Sequence, residues 1–209
     1  MATLGMRVDA ESTVVTVDGV RLPVNPALVY WLVYKPQGVI TTTDDPQGRQ
    51  TVRSLVPSAP PTNPVGRLDL DSEGLLLMTN DGALTNIVTH PRYGVPKTYR
   101  VLVPQNVASA DISALISGIP LEDGMASAQS AKLDSTSGER SVIELVLTEG
   151  RKREIRRMFS HLHIPIDRLV RIAIGPIADR TLQPGSHRTL SVEEIRLLYS
   201  FEKQADHDV

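Results

Sequence analysis

The sequence GRLDLDSEG at residues 66–74 runs directly into the apolar residues LLLM at 75–78, which precede the turn sequence TNDG at 79–82. A charge-dense loop therefore leads into a segment that is typical of a buried strand. Because a rigid element positions such a loop, its carboxylates are better catalytic candidates than those on a solvated helix. Among these carboxylates we select Asp69 as the catalytic candidate.

The composition limits the kinds of protein that this chain can be. Of 209 residues, 41% are hydrophobic and 22% are charged, which is typical of a soluble globular protein. The absence of cysteine excludes disulfide scaffolds, thiolate zinc sites and cysteine nucleophiles. No apolar run reaches the roughly 20 residues that span a bilayer, and the first residues do not resemble a signal peptide. We therefore expect a cytoplasmic protein.

One segment is strongly basic although the chain carries a net charge of −2. Residues 151–171 contain seven Lys or Arg and two Asp or Glu, a net charge of +5. Ile155, Met158, Phe159 and Leu162 recur at helical spacing, which predicts an amphipathic helix with basic side chains on its other faces. Such a run is usually a solvated helix face. Because this one follows a strand and a Glu-Gly turn, we favour a basic helix that lines a cleft.

Hydrophobic periodicity divides most of the remaining chain into strands and short helices. Residues 37–64 are rich in Pro and Gly and are predicted to be irregular around one short strand or turn. The predicted strands are a hairpin at 13–22 around Asp18-Gly19, followed by 28–34, 97–103, 142–147 and 169–174. The predicted helices are 83–90, 111–116, 155–162 and one that begins at a capping box formed by Ser191 and Glu194.

Three segments contain the candidate catalytic and RNA-binding residues. They are the Asp69 loop, KTYR at 97–100 and EGRKREIRR at 149–157. In order and spacing they resemble three motifs of the ribosomal RNA pseudouridine synthases of the RsuA/RluB type, and most closely the large-subunit members. The resemblance extends from residue 28 to residue 199, and further matching pieces are Lys35-Pro36 with Gly38, His90-Pro91 and residues 121–124.

The resemblance implies a role for each candidate residue. Asp69 would be the catalytic aspartate, Tyr99 would contact the target base, and Arg156 would pair with Asp69 and keep it ionised and oriented. Lys152 stands where Asn is common in the family, a change that we expect to affect RNA contact rather than chemistry. The residues expected to contact substrate or RNA are Arg67, which could enter the space left by a flipped base, Lys97, Arg151, Lys152, Arg153, Ile155 and Arg157.

The chemistry that the resemblance implies suits these residue types. Converting uridine to pseudouridine replaces an N-glycosidic bond by a C-glycosidic bond, so the expected enzyme needs no metal, no redox cofactor and no nucleotide cofactor. It needs an ionised carboxylate near the ribose and the base, acting as a nucleophile or as a base. An aromatic side chain can hold the extruded base by stacking, and basic side chains can bind phosphates.

Other interpretations of the same residues remain open. Asp69 alone could be a loop aspartate that caps a turn, and Tyr99 could be a half-buried core residue. Asp71 is predicted to be a turn or capping residue, because carboxylates two residues apart in an extended loop point apart. The alternative functions are a small-subunit (16S) synthase, a non-catalytic RNA-binding or ribosome-assembly factor on the same fold, and a glycosidase or nuclease.

The resemblance also implies the architecture. We expect an α+β fold, in which a mixed and largely antiparallel sheet carries flanking helices and a central active-site cleft. Residues 1–27 are expected to be the last strands of an N-terminal RNA-binding domain, 28–203 the catalytic domain, and 204–209 a disordered tail. The expected partner is ribosomal RNA or a pre-ribosomal particle. We expect the protein to be a monomer that does not bind a membrane.

Overall fold

The computed structural model describes residues 13, 15–17, 19–22 and 25–205. Within this part of the chain the strands are β1 Val15–Val17, β2 Val20–Leu22, β3 Tyr30–Lys35, β4 Asn63–Val65, β5 Glu73–Thr79, β6 Lys97–Val103, β7 Ile119–Leu121, β8 Gly124–Ala126, β9 Ser130–Ser137, β10 Arg140–Leu147, β11 Arg168–Ile174, β12 Ile177–Ala178 and β13 His187–Thr189. The α-helices are α1 Gly82–Thr89, α2 Ser109–Ser117, α3 Glu154–His161 and α4 Val192–Ala205, and short 3-10 helices cover Val52–Leu55 and Pro91–Tyr93.

A nine-stranded mixed sheet forms the centre of the described structure. Its strand order is β13-β3-β5-β11-β6-β10-β9, with β4 also paired to β5 and β12 also paired to β11. Only the β5–β11 pair is parallel among the described pairs of this sheet. The expected α+β fold with a mixed, largely antiparallel sheet is therefore confirmed.

The apolar run at 75–78 lies in β5, whose seven residues are all buried. Leu75 and Leu77 pack in one hydrophobic cluster with residues of α1 and α4. Leu76 and Met78 point to the opposite face and pack in a second cluster, which includes Val52. Because both faces are covered, the strand is continuously hydrophobic instead of alternating. β5 therefore gives the preceding polar loop a rigid anchor.

A third hydrophobic cluster joins the other half of the sheet to α2 and α3. It contains alternate residues of β6 and β10, together with Ile155, Met158 and Phe159 from the apolar face of α3. The basic residues of α3 are consequently left on its remaining faces. This arrangement places the first turn of α3 next to the loop that precedes β5.

Most of the predicted elements are present with small shifts in their bounds. The predicted strand at 97–103 coincides with β6, and the predicted hairpin forms β1 and β2, with Val17 opposite Val20. The capping box is also confirmed, since Glu194 N–H donates to the Ser191 hydroxyl at 3.1 Å and Ser191 N–H donates to the Glu194 carboxylate at 2.8 Å. The strands β7, β8, β9, β12 and β13 were not predicted.

The predicted domain division falls partly outside the described residues. The β1–β2 hairpin is a separate two-stranded sheet, and Val20 packs against the cluster formed with α1 and α4. Residues 1–12 and 206–209 lie outside the described part, while α4 continues to Ala205. Among the described helices, none combines the length and the apolar character that crossing a membrane requires.

Candidate active site

The backbone of the loop at residues 66–72 is held in place by hydrogen bonds from the segment that follows β3. The Thr41 hydroxyl donates to the Leu68 carbonyl at 2.7 Å and accepts from the Leu68 N–H at 3.2 Å. Gly38 N–H donates to the Leu70 carbonyl at 2.9 Å. These bonds lie on either side of Asp69 in the sequence, so they fix the backbone that carries its carboxylate.

The end of the loop is closed by a turn and by a buried lysine. Ser72 N–H donates to the Asp69 carbonyl at 3.1 Å. The Lys35 ammonium donates to the carbonyl of Ser72 at 2.7 Å and to that of Pro36 at 3.0 Å. Burial lowers the pKa of Lys35 to about 8, although the nearby carboxylates of Asp71, Glu73 and Asp69 oppose the shift. Lys35 therefore adds positive charge beneath the loop.

The three predicted catalytic residues line one cavity, which we call the Asp69 cavity. Its volume is about 520 Å³, and its walls include Asp69, Tyr99 and Arg156. Tyr99 lies on β6 with only 9% of its surface exposed, so its ring is part of the core as well as of the cavity wall. Asp69 is half-buried and its carboxylate forms no hydrogen bond or ion pair within the described part of the chain.

The expected pairing of Arg156 with Asp69 is wrong in this structure. Nε of Arg156 lies 3.2 Å from Oδ2 of Asp71, and its Nη2 donates to the Asp71 carbonyl at 2.7 Å. Arg153 donates two further hydrogen bonds to the Asp71 carboxylate, at 3.2 and 3.0 Å. The reason is the turn from Asp69 to Ser72, which directs Asp71, and not Asp69, toward the first turn of α3.

The pKa of Asp71 shows that its ion pairs outweigh its burial. Burial alone would raise this pKa, but hydrogen bonds from Arg153 and the charge of Arg156 lower it below the usual value for an aspartate. Asp71 is therefore more than the turn or capping residue that the sequence suggested. It connects the Asp69 loop to α3.

The start of α3 is shaped by its own polar residues. Arg153, which caps the helix, has a φ of 51°, a left-handed conformation that is uncommon for a residue other than glycine. Glu154 is buried, which raises its pKa, and its carboxylate accepts from Arg151 N–H at 3.0 Å. Ile155, which was predicted as an apolar contact for the substrate, is 5% exposed and belongs to both the core and the Asp69 cavity.

The predicted RNA-contacting residues fall into three places. The first is the wall of the Asp69 cavity, which includes Arg67, Arg151, Lys152 and Arg153. Arg157 is elsewhere, since it donates to the Asp123 carboxylate at 2.8 and 3.0 Å and lines a wider groove along α3. Lys97 lines a smaller neighbouring cavity.

Sequence reasoning did not identify the residues that position the loop. Thr41, Ser72 and Asp71 form contacts that depend on the folded backbone and leave no spacing pattern. Lys35 did carry a signal, because a lysine that directly follows a buried apolar run is unusual unless it has buried partners. It was noted only as a matching piece of the family pattern.

The described residues include no group of three His, Cys, Asp or Glu side chains arranged to hold a metal ion. His161 and His163, which are close in the sequence, are both exposed. The geometry therefore consists of an unpaired carboxylate, a tyrosine ring and a rim of basic side chains. A cavity of this kind suits a polyanionic substrate.

Comparisons with known proteins define the class. A family model described as RNA pseudouridylate synthase matches residues 29–161. An uncharacterized RNA pseudouridine synthase of Mycobacterium leprae is 40% identical over 201 residues, which are 94% of this chain and 78% of the relative. The chain therefore belongs to the RNA pseudouridine synthase family, as its motifs suggested.

One further relative and one solved structure show which members of the family this chain is similar to. Ribosomal large subunit pseudouridine synthase B of Bacillus subtilis is 36% identical over 207 residues, which cover 98% of this chain and 83% of the relative. A crystal structure of a pseudouridylate synthase matches with a TM-score of 0.74 and 28% identity, covering 94% of this chain and 84% of that chain.

Proposed function

We propose that this protein converts a specific uridine to pseudouridine in large-subunit ribosomal RNA, with Asp69 as the catalytic carboxylate. The observation that carries the proposal is that Asp69, Tyr99 and Arg156 line one cavity, whose volume of about 520 Å³ is within the usual range for small-molecule sites. The similarity to the Bacillus subtilis large-subunit enzyme supports the choice of RNA. We expect a monomer that acts in the cytoplasm on ribosomal RNA or a pre-ribosomal particle.

The reaction requires little beyond a well-placed carboxylate. The bond from C1′ to N1 of the uracil breaks, a bond from C1′ to C5 forms, and the proton lost from C5 is balanced by the proton gained at N1. The Asp69 carboxylate serves this exchange as a nucleophile or as a base, and it is available because the nearby arginines are bonded to Asp71. No cofactor enters this balance.

Tyr99 and Arg156 have different parts in the proposal. The Tyr99 ring is held by the core and can form a rigid platform for the extruded base. Arg156 acts mainly on the loop, through the Asp71 carbonyl and carboxylate, so it positions Asp69 without bonding to it. The basic side chains of the cavity rim, Arg67, Arg151, Lys152 and Arg153, would meet phosphates of the RNA strand.

The direct test is to map pseudouridine in unmodified large-subunit and small-subunit RNA transcripts after incubation with the protein. We expect modification at one position or a few positions of the large-subunit RNA, and a loss of roughly 100-fold or more in rate for Asp69→Asn. Asp44→Asn, an exposed aspartate of the 37–64 segment, is the matched control and should modify normally.

Other outcomes would overturn the proposed chemistry or the choice of subunit. Equal modification by wild type and Asp69→Asn would show that Asp69 is not the catalytic carboxylate, and no modification by either would favour a non-catalytic RNA-binding or assembly factor. Released uracil or cleaved strands would instead identify a glycosidase or a nuclease. Modification confined to small-subunit RNA would contradict the choice of subunit while leaving the chemistry intact.

A further inference from the structure

A second cavity, which we call the Arg171 cavity, adjoins the Asp69 cavity. Its volume is about 250 Å³, and Gly66, Arg67, Tyr99, Gly150 and Arg151 line both cavities. A single substrate strand can therefore occupy the two at once, with the target nucleotide in the Asp69 cavity and a neighbouring group in the Arg171 cavity.

The lining of the Arg171 cavity has a strong excess of positive charge. It includes the basic side chains of Arg67, Lys97, Arg151 and Arg171. Its one acidic lining residue is Glu149, whose carboxylate already lies 3.2 Å from Nε of Arg151. The remaining cations have no acidic counterpart in this lining.

Arg171 is the most unusual member of this group. Only 5% of its surface is exposed, and Nε donates to the Leu75 carbonyl at 2.7 Å. Its Nη2 is buried and has no hydrogen-bond partner among the described residues. An N–H group that is buried without an acceptor is unfavourable, so Nη2 is a donor that an acceptor bound in the cavity would satisfy.

Lys97 strengthens the same argument from the neighbouring strand. It lies on β6, where its pairing partner across the ladder is Ile174 of β11, the strand that carries Arg171. Burial, followed by repulsion from Arg171, lowers the pKa of Lys97 to about 8. Within the described structure Lys97 forms no ion pair. Lys97 and Arg171 line the same cavity, and its one acidic lining residue, Glu149, is already paired with Arg151.

We propose that the Arg171 cavity is an anion subsite that takes a phosphate group of the RNA strand adjoining the target nucleotide. A guanidinium and an ammonium that converge on one small cavity match the charge and the oxygen atoms of a phosphate. The identity of the strand as RNA rests on the proposed function, whereas the anion subsite itself rests on the cavity. The bound phosphate would supply the missing partner of Nη2 and compensate the repulsion between Lys97 and Arg171.

Binding measurements with small ligands test the subsite directly. Titration calorimetry should compare uridine, inorganic phosphate, uridine 3′-monophosphate and uridine 5′-monophosphate. For the wild type, we expect at least one monophosphate to bind about 10-fold more tightly than uridine, which is the effect of a charge-assisted contact. Equal affinities for uridine and both monophosphates would overturn the proposal.

Charge-removing variants locate the contact. Lys97→Met and Arg171→Met should each remove most of the preference for the monophosphate, whereas Lys97→Arg should retain it. Lys132→Met is the matched control, because Lys132 lies on β9 with 65% of its side chain exposed and pairs with Glu144. If Arg171→Met fails to fold, the two Lys97 variants still show whether the preference for the monophosphate depends on this cavity. A preference unchanged in Lys97→Met would contradict the assignment.

The salt dependence of binding to a short single-stranded RNA distinguishes a strand phosphate from a free phosphate ion. Lys97→Met should reduce the slope of log K against log salt by about 0.7, the value for one lost phosphate contact. An unchanged slope would show that the cavity does not bind the strand and would overturn the proposal. Because these measurements need no turnover, the subsite can fail while Asp69-dependent modification succeeds, and the reverse outcome is equally visible.

Discussion

At the scale of single residues, the main finding is the different environments of two aspartates in one loop. The Asp71 carboxylate forms ion pairs with Arg153 and Arg156 at the start of α3. Asp69, two residues earlier, forms no ion pair in the described structure. Arginines that bind a carboxylate occupy its oxygen atoms, which are then less available to a substrate. Asp71 therefore keeps the arginines in place while Asp69 stays accessible.

Removing the Asp71 side chain tests this separation. In Asp71→Ala, Arg153 and Arg156 lose their carboxylate, and the loop keeps only the bonds from Arg156 to the backbone carbonyl at position 71 and to the Ser72 hydroxyl, so Asp69 should be held less firmly. We expect the single-turnover rate of modification to fall by about 10-fold to 100-fold, with RNA affinity changed much less. Asp134→Ala, which removes an aspartate of β9 that pairs with Arg100 away from the Asp69 cavity, should leave the rate near that of wild type.

A double variant tests whether Arg156 acts through Asp71 or contacts Asp69 directly. If Arg156 acts through Asp71, then the rate losses of Arg156→Ala and Asp71→Ala should combine to less than their product in the double variant. Losses that multiply would instead show that Arg156 contacts Asp69 or the substrate during the reaction.

At the scale of elements, the site depends on how closely β5 and β11 approach each other. Gly74 of β5 lies opposite Arg171 of β11 in the parallel pair and has a φ of 111°. A Cβ added at Gly74 would lie 2.2 Å from the Arg171 carbonyl oxygen and 2.6 Å from its nitrogen. Glycine is therefore required here, because any side chain would push apart the strands that support the Asp69 loop and Arg171.

Gly74→Ala should accordingly be costly. We expect a loss of about 3 kcal/mol in the free energy of unfolding, measured by urea denaturation, from the forced contact together with the unfavourable φ. Gly48→Ala is the matched control, because Gly48 also has a positive φ, of 69°, but no atom lies within 4 Å of its added Cβ. Equal losses in the two variants would mean that the backbone conformation alone, and not the close approach, requires glycine at position 74.

The same scale explains what the sequence could and could not predict. β5 and α3 were predictable because burial imposes a continuous apolar run on one and a helical period on the other. β9 was missed because seven of its eight residues are exposed and it pairs with β10 alone, so no apolar pattern marks it. The Asp71 pairing was missed for a related reason: motif order predicted which side chains meet at the cavity, but the turn decides which carboxylate faces α3.

At the scale of the whole molecule, one buried aspartate connects the sheet with two helices. Asp81 Oδ2 accepts from the Tyr30 hydroxyl of β3 at 2.6 Å and from the Tyr199 hydroxyl of α4 at 2.5 Å. Its Oδ1 accepts from the N–H groups of Ala83 and Leu84 at the start of α1. The turn after β5 therefore joins parts of the chain that are more than 100 residues apart in sequence.

Replacing this aspartate should weaken the whole fold more than it changes the chemistry. Asp81→Ala removes a helix cap worth about 1 kcal/mol and two hydrogen bonds to a charged group worth about 1.5 kcal/mol each, so we expect a loss of about 4 kcal/mol in urea unfolding. Asp111→Ala removes an aspartate that accepts from Ala108 N–H in an exposed helix start, and it should cost less than about 1 kcal/mol. If the two losses were similar, Asp81 would act only as a helix cap, and the connection between β3, α1 and α4 would depend on packing alone.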